Sequence, residues 1–273
     1  MERLLVIKLD ALGCEAEALL NGLPVARVDP LRPRAIVPVH EYTLAGANQL
    51  ELVVWPYPAQ APVQAPGQLP KVAEPRLSDG LRSAHLRVLL PRIGSPADEG
   101  TARTLGQLDW APAEGETYNA PLTLSQEVTL PVSFPRWRWL DAPVVEPTPT
   151  QHALVLAFLQ AVEKDLAAGE PDRFLNAARL RTEEIATAYQ RQPAEETQRW
   201  REHLLKLHAA KSLVFKPLAA ESLVLRPIAG GRLLECVSSD GGPALATEPD
   251  AQGRRFALPL RVTAVEGKVY VLR

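Results

Sequence analysis

Residues 148–212 read TPTQHALVLAFLQAVEKDLAAGEPDRFLNAARLRTEEIATAYQRQPAEETQRWREHLLKLHAAKS, and this stretch decides the fold. Thr148, Pro149 and Gln151 form a capping box, because a threonine hydroxyl can accept a hydrogen bond from the amide three residues later. Gly169 can take the left-handed conformation that ends a helix. The pattern predicts a first helix with an apolar stripe at Val155, Phe158, Leu159, Val162 and Leu166.

Two further helices follow in the same stretch. Pro171 opens the second, and Pro193 stops it by removing an amide that the helix needs. The third starts at Pro193, with acidic residues in its first turn and basic residues in its last, as the helix dipole favours. The predicted apolar stripe of the second helix consists of Phe174, Leu175, Ala178, Ile185 and Tyr189.

Length and charge narrow the class of protein. The chain has 273 residues, enough for two domains that each bury a core. Its formal net charge is -2 and its pI is about 6.2, which argues against a surface for nucleic acid or for an anionic membrane. We therefore expect neither nucleic acid nor membrane among its partners.

The cysteines and the hydrophobic runs indicate the compartment. Cys14 and Cys236 are far apart and have neither disulfide nor zinc spacing, so a reducing compartment is expected. The run Leu4–Ile7 is interrupted by Lys8, which leaves it too short for a signal peptide, and no later run reaches membrane-spanning length. The sequence predicts a cytoplasmic protein.

Short strands dominate the N-terminal half. Asn21-Gly22 offers the backbone torsions of a tight hairpin turn between two of them. The strand spacing and the turn residues between strands fit a β-sandwich better than alternating strands and helices. The predicted strands are Leu4–Leu9, Cys14–Leu20, Leu23–Val28, Ala35–Tyr42, Gln49–Trp55, His85–Leu90, Thr101–Leu108 and Leu122–Val132.

Part of this half resembles a known family. The Asn21-Gly22 hairpin is followed by a strand and then by a Gly46-x-Asn48-x-Leu50 turn into another strand. This order is similar to the galactose-binding-like β-sandwich, an accessory domain of many glycosidases. The resemblance covers Leu19–Val54 and implies a jelly-roll-like fold. Sugar contacts in that family lie in variable loops, so the resemblance assigns none to this chain.

A proline-rich segment interrupts the strands. Pro56–Pro75 holds six prolines in 20 residues, which disfavours a central strand or a helix. We interpret it as an extended connection, with a ligand for proline-recognition modules as the functional alternative. A second proline-containing stretch, Ala142–Pro147, is interpreted as the linker between two domains.

Two tryptophans close the N-terminal half. In an extended chain Trp137 and Trp139 would face one side, and Arg136 and Arg138 the other. The functional interpretation is a stacking platform for a sugar or an anchor for a protein partner. The structural interpretation, which we favour, is that the tryptophans seal the sandwich against the helices.

The C-terminal half returns to strands, separated by glycine-containing turns typical of an antiparallel meander. The predicted strands are Ser212–Leu218, Ser222–Ile228, Arg232–Ser239, Arg255–Val265 and Lys268–Leu272. Residues 150–273, ending in Glu-Gly-Lys-Val-Tyr-Val-Leu-Arg, are similar to the cone-shaped domains of the nuclear-transport-factor-2-like superfamily. Those domains usually interleave a strand among their helices, whereas here all three helices come first. The superfamily includes enzymes, secretion factors and scaffolds, so the resemblance selects no function.

Together these patterns predict a two-domain protein. Residues 1–145 form an all-β, jelly-roll-like sandwich, and residues 148–273 form an α+β domain of three helices packed on a curved antiparallel sheet.

Motifs for catalysis, metals and cofactors are missing from the sequence. It has no nucleophile elbow, no phosphate-binding glycine loop, no dinucleotide fingerprint and no zinc helix, so we predict no catalytic residue, metal ligand or cofactor. One ionisable cluster remains on the second helix. Arg181 and Glu184 are spaced to form an ion pair, and Glu184 with Tyr189 would make an acid and base couple if the helix lined a pocket. The alternative is a solvated ion pair beside a core tyrosine.

The sequence therefore favours a non-catalytic, intracellular binding protein whose partner is another protein. A bacterial secretion or toxin-immunity system is one setting for such a protein. Two alternatives stay open: an enzyme or small-ligand binder using a pocket in the C-terminal domain, and a carbohydrate-binding protein using the sandwich. The candidate binding residues are Trp137, Trp139, Arg181, Glu184 and Tyr189.

Overall fold

The computed structural model describes residues 4–56, 74–92, 94–250 and 252–273. Antiparallel sheets dominate it, with four α-helices among the described residues. The chain divides into two compact units, Met1–Arg136 and Trp137–Arg273, so residues 137–145 belong with the second unit. Most of the proline-rich segment Pro56–Pro75, residues 57–73, lies outside the described residues.

The described part of the first unit is almost entirely β-structure. Its strands are β1 (Val6–Leu12), β2 (Cys14–Leu20), β3 (Leu23–Val28), β4 (Arg34–Pro38), β5 (Ala47–Pro56), β6 (Glu74–Leu77), β7 (Ser83–Pro91), β8 (Ala102–Trp110), β9 (Thr117–Ala120) and β10 (Leu122–Thr129). One four-stranded sheet has the order β4-β1-β7-β8, and another has the order β10-β5-β2-β3. Strands β6 and β9, which the sequence did not predict, form a small third sheet.

The two larger sheets share one hydrophobic core. Ile7 and Leu86 from one sheet and Ala18 and Leu52 from the other are fully buried in the same cluster. Strands β5 and β7 bury alternate residues over most of their length, as strands do when one face meets a core, whereas β1 and β2 bury most residues on both faces. The arrangement is compatible with a β-sandwich.

Short polar residues shape the turns of this unit. Asn21 and Gly22 have φ values of 56° and 73°, and they join β2 to β3 in the predicted hairpin. Asn48 is buried, and its side chain accepts from the Leu44 amide at 2.7 Å and donates to the Gly46 carbonyl at 2.9 Å. These asparagines therefore fix loop geometry, consistent with the turn-forming role expected of them.

The predicted strand Ala35–Tyr42 ends early. β4 stops at Pro38, and His40–Tyr42 forms a short 3-10 helix. The cause is a tertiary hydrogen bond: the Leu5 amide donates to Nε2 of the buried His40 ring at 2.8 Å. β4 ends at Pro38, before His40, whose side chain is buried.

The second unit contains the helices. They are α1 (Pro149–Ala167), α2 (Asp172–Ala177), α3 (Arg179–Ala188) and α4 (Pro193–Ala209). Thr148 caps α1, its side chain accepting from the Gln151 amide at 3.3 Å, and Gly169 follows the helix with φ of 80°. Both ends of the first helix thus lie where the sequence predicts, but Gln151 Oε1 has no hydrogen-bond partner, so the return bond of a capping box is not formed.

The predicted second helix is two helices. The chain breaks at Ala178, whose φ and ψ are -92° and 5°. Phe174, Leu175 and Ala178 are buried as predicted, whereas Ile185 and Tyr189 are half-buried. Because of the break, α3 does not continue the buried face of α2. It buries Thr182, Glu184, Ala186 and Ala188 instead.

A four-stranded antiparallel sheet completes the second unit. The six described strands of this unit are β11 (Leu223–Ile228), β12 (Leu233–Ser238), β13 (Leu245–Ala246), β14 (Ala257–Leu258), β15 (Leu260–Val265) and β16 (Lys268–Val271). The sheet has the order β11-β12-β15-β16, and β13 with β14 forms a small pair inserted between β12 and β15. Predicted strand Ser212–Leu218 is wrong: it contributes a single bridge, from Phe215 to Thr247.

One face of this sheet and the helices share a second core. Val155 and Leu159 of α1 and Phe174 of α2 lie in the same buried cluster as Leu234 and Val262 of the sheet. The arrangement is compatible with an α+β domain.

Candidate functional site

The two tryptophans are not on an extended strand. Arg138–Asp141 forms a 3-10 helix, with Trp137 at its N-terminal cap. Trp137 is 1% exposed and Trp139 is 3% exposed. Stacking on a sugar needs an uncovered ring face, and neither ring provides one. Both rings are covered, as the structural interpretation of the two tryptophans requires.

Glu184 lies in a buried ion-pair cluster. Its Oε2 accepts from Nη1 of Arg273 at 2.5 Å, and its Oε1 accepts from the backbone amide of Arg138 at 2.6 Å. The side chains of Arg273 and Glu184 are 1% and 8% exposed. Arg273 also lies over the ring of Trp137, with 5.6 Å from its Cζ to the ring centroid. The structure thus brings Trp137 and Glu184 together through Arg273.

The partner of Glu184 is therefore distant in sequence. Arg273 lies 89 residues away, whereas Arg181, the partner that helical spacing suggests, lies over the ring of Trp200 at 5.6 Å. Tyr189 contacts Arg191, whose Cζ is 5.4 Å from the tyrosine ring centroid. The described contacts of Arg181 and Tyr189 are thus with Trp200 and Arg191.

The cluster suits a structural role better than proton transfer. Both carboxylate oxygens of Glu184 accept hydrogen bonds from fixed donors, and Arg273 supplies the compensating charge. Removing either partner of such a buried pair destabilises the fold, because the remaining charge would be buried alone. The sequence offers no signal for it, because the two partners lie 89 residues apart.

Glu183, the neighbour of Glu184, faces a different set of cations. It pairs with Arg138 at 2.7 Å and with Arg179 at 2.6 Å. The hydrogen bond from Arg138 is the main cause that lowers the pKa of Glu183 below its ordinary value, and it outweighs partial burial. This carboxylate is thus held in its charged form at neutral pH.

A charged row crosses the outer face of the sheet β4-β1-β7-β8. Strand register places Arg34, Asp10, His85 and Asp109 side by side on four neighbouring strands. Arg34 Nε contacts Asp10 Oδ1 at 2.5 Å, and His85 Nδ1 lies 2.7 Å from Asp109 Oδ1. We call these four residues the charged row.

Asp109 also pairs with Arg87, whose Nη2 lies 2.7 Å from Asp109 Oδ1. Partial burial acts to raise the pKa of Asp109, but the hydrogen bonds from His85 and Arg87 outweigh it and the pKa is lowered. The side chains of His85 and Asp109 are each about two-fifths exposed, so the row faces solvent.

Three exposed leucines gather at one end of the same sheet. Leu12, Leu31 and Leu81 are 64%, 81% and 71% exposed. Leu12 pairs with Ser83 in the strand register, and Ser83 comes two residues after Leu81 in the chain. The Ala11 amide donates to the Pro33 carbonyl at 2.8 Å, which holds the loop bearing Leu31 at this end too. We call Leu12, Leu31 and Leu81 the leucine end.

The leucine end is held on ordered backbone. Asp29 Oδ1 accepts from the amides of Leu31 and Arg32 at 2.8 Å each, an arrangement that fixes the turn. A Cβ on Gly13 would lie 3.7 Å from the Leu81 carbonyl, so the turn after Leu12 and the chain at Leu81 are adjacent. The sequence could not show this grouping, because the three leucines come from three separate turns.

Both cysteines are buried and free. Burial raises the pKa of the Cys14 thiol to about 12, and it raises the pKa of the Cys236 thiol as well. Neither thiol has the lowered pKa that a cysteine nucleophile needs.

The part of the chain that the structure describes shows neither a metal-binding cluster nor a membrane-spanning helix. No group of three or more histidine, cysteine, aspartate or glutamate residues there is placed to hold a metal ion. Within the same described ranges, no helix combines the length and the apolar character needed to cross a membrane.

Comparison with protein-family models, with curated proteins and with solved structures finds no match to this chain.

Proposed function

We propose that this chain is a non-catalytic binding protein that recognises another protein through the leucine end of its first unit. The observation that carries the proposal is the grouping of Leu12, Leu31 and Leu81, each more than three-fifths exposed, at one end of one sheet. Single exposed leucines are ordinary, whereas several together on ordered backbone mark an interaction surface.

The energetics favour a protein partner. Burying one leucine side chain contributes about 1.5–3 kcal/mol, so three buried together would supply the apolar centre of a specific interface. The charged row continues the same sheet face away from Leu12, since Asp10 lies two residues before it on β1. An apolar centre bordered by polar and charged groups is the usual anatomy of a protein interface.

The alternative functions have less support. Sugar stacking on Trp137 or Trp139 requires a ring face that burial covers. Acid and base chemistry by Glu184 and Tyr189 requires a free carboxylate, and both oxygens of Glu184 accept hydrogen bonds. The leucine end, by contrast, is uncovered.

The proposal extends to architecture and setting. We infer that the two units are two domains, a jelly-roll-like sandwich and an α+β domain whose helices pack on a curved sheet. The free, separately placed thiols of Cys14 and Cys236 support a reducing compartment such as the cytoplasm. A bacterial secretion or toxin-immunity system stays our proposed setting, and the galactose-binding-like and nuclear-transport-factor-2-like resemblances stay predictions.

Affinity capture tests the proposal. The tagged chain is used on lysate of the producing organism beside the triple variant Leu12→Ser, Leu31→Ser, Leu81→Ser. A matched control carries Leu205→Ser and Val214→Ser, two exposed apolar residues of the second unit that are 41% and 61% exposed. We expect the wild type and the control to recover one protein in stoichiometric amount and the triple variant to lose it.

Two results would contradict the proposal. One is a monomeric preparation that captures no stoichiometric protein. The other is a partner that the folded triple variant retains, which would move the contact away from the leucine end. Far-UV circular dichroism of all three proteins checks that each is folded.

A further inference from the structure

A depression opens at the end of the β7–β8 hairpin in the first unit. Its volume is about 430 Å³, and it is lined by residues 90–92 and 100–103. Strand register places Leu90 opposite Arg103 and Pro91 opposite Ala102, so the lining comes from two paired strands and the ends of their connection. This volume lies within the range of small-ligand sites, about 300–1,000 Å³.

Two arginines of the lining, Arg92 and Arg103, differ from five other arginines of this unit. Arg92 and Arg103 are exposed, and within the described ranges neither has a carboxylate partner. Several other arginines of the unit each pair with a carboxylate, namely Arg27, Arg32, Arg34, Arg82 and Arg87. The depression therefore carries two positive charges that the surrounding protein does not neutralise.

The acidic residues of the same connection are engaged elsewhere. Glu99 Oε2 accepts from Lys8 Nζ at 2.6 Å, which lowers the pKa of Glu99, and Asp98 Oδ1 accepts from the Gly100 amide at 2.8 Å. Neither carboxylate lines the depression. Lys8 thus holds the Glu99 carboxylate and the Gly100 amide holds the Asp98 carboxylate, while Arg92 and Arg103 are the charged residues of the lining.

We propose that this depression binds a small organic oxyanion, a phosphate monoester or a carboxylate, through Arg92 and Arg103. Guanidinium groups bind both kinds of oxyanion with paired hydrogen bonds, which is the recognition chemistry the two ligands share. Leu90, Pro91 and Ala102 supply an apolar wall for the organic part of the ligand. The chain as a whole carries a net charge of -2, so anion binding is not a general property of its surface.

The site is separate from the leucine end. The lining shares no residue with Leu12, Leu31 or Leu81, and it needs no protein partner. Failure of either proposal leaves the other unchanged, because the variants that test them are different.

Nuclear magnetic resonance of the ¹⁵N-labelled full chain tests the proposal with three probes: inorganic phosphate, phenyl phosphate and benzoate. We expect saturable shifts of the Gly100, Thr101 and Ala102 amides at millimolar concentrations, with phenyl phosphate binding more tightly than inorganic phosphate because of the apolar wall. Comparison of phenyl phosphate with benzoate decides between a phosphate and a carboxylate ligand.

Substitution assigns the binding to the two arginines. Arg92→Gln and Arg103→Gln are each expected to weaken binding about tenfold or more, the usual effect of losing a charge-assisted hydrogen bond. Arg255→Gln is the matched control, since it removes an exposed guanidinium of the second unit and should leave the affinity unchanged. Absence of saturable shifts for all three probes, or equal affinity of the folded Arg92 and Arg103 variants and the wild type, would overturn the proposal.

Discussion

At the scale of single residues, the buried pair of Glu184 and Arg273 is the most consequential contact. A charged pair that is almost wholly removed from water is stable only while both partners are present. Here Arg273 also lies over Trp137, and Glu184 holds the amide of Arg138. The pair thus joins α3 and the second residue after β16 to the short segment that begins at Trp137.

We predict that removing one partner destabilises the chain strongly. Arg273→Met should lower the free energy of unfolding by about 3–5 kcal/mol, because Glu184 would be left charged and buried. The double variant Glu184→Gln, Arg273→Met should lose less than the sum of the two single losses. Urea unfolding of the four proteins measures this coupling.

An exposed ion pair provides the control. Arg201 Nη2 lies 2.5 Å from Asp172 Oδ1, with side-chain exposures of 35% and 67%. Arg201→Gln should therefore cost only about 0–1 kcal/mol. Equal losses for Arg201→Gln and Arg273→Met would show that burial does not set the energy of the Glu184 pair.

At the scale of elements, the approach of β8 to β10 depends on one glycine. A Cβ on Gly106 of β8 would lie 2.6 Å from Cγ1 of Val128 on β10, closer than real side chains come. Val128 and Leu50 both belong to the core of the first unit. Glycine at 106 thus lets strands from two different sheets meet without a gap.

We predict that Gly106→Ala destabilises the first unit by about 1–3 kcal/mol, the usual range for overpacking a core. The same substitution should cost less in a Val128→Ala background, since that change removes the atom that the new methyl group meets. Chemical unfolding of both single variants and the double variant gives the comparison. Strict additivity would mean that the contact with Val128 is not the cause.

At the scale of the whole molecule, each unit holds a carboxylate whose pKa is lowered by hydrogen bonds, from His85 and Arg87 at Asp109 and from Arg138 at Glu183. Asp109 lies in the first unit and Glu183 in the second, and their ordinary pKa values are 3.8 and 4.5. A lowered pKa in the folded state means that the unfolded chain binds the proton more tightly. The stabilisation is therefore complete above these ordinary values and is lost as the pH falls through the lowered ones.

We predict that stability is constant near neutral pH and declines on acidification, starting near pH 4.5, the ordinary value of Glu183, and continuing below 3.8, that of Asp109. Asp109→Asn and Glu183→Gln should each reduce the slope of this decline. Urea midpoints measured along a pH series provide the test. A slope that neither substitution changes would place the acid sensitivity at other carboxylates.

Local patterns in the sequence determined much of the secondary structure. The helix cap at Thr148, the hairpin at Asn21 and Gly22, and several strands including Cys14–Leu20 were predicted at their observed positions. These features depend on hydrogen bonds and torsions within a few residues, which the sequence displays directly. The break at Ala178 and the loss of strand Ser212–Leu218 depend on packing, and the local pattern does not contain that information.

Only the tertiary structure decided which side chains meet. It paired Glu184 with Arg273, buried Trp137 and Trp139, grouped the leucine end from three turns and aligned the charged row across four strands. Each of these contacts joins residues far apart in the chain. Their energies come from burial and from charge at short distance, and both exist only once the chain has folded and brought those residues together.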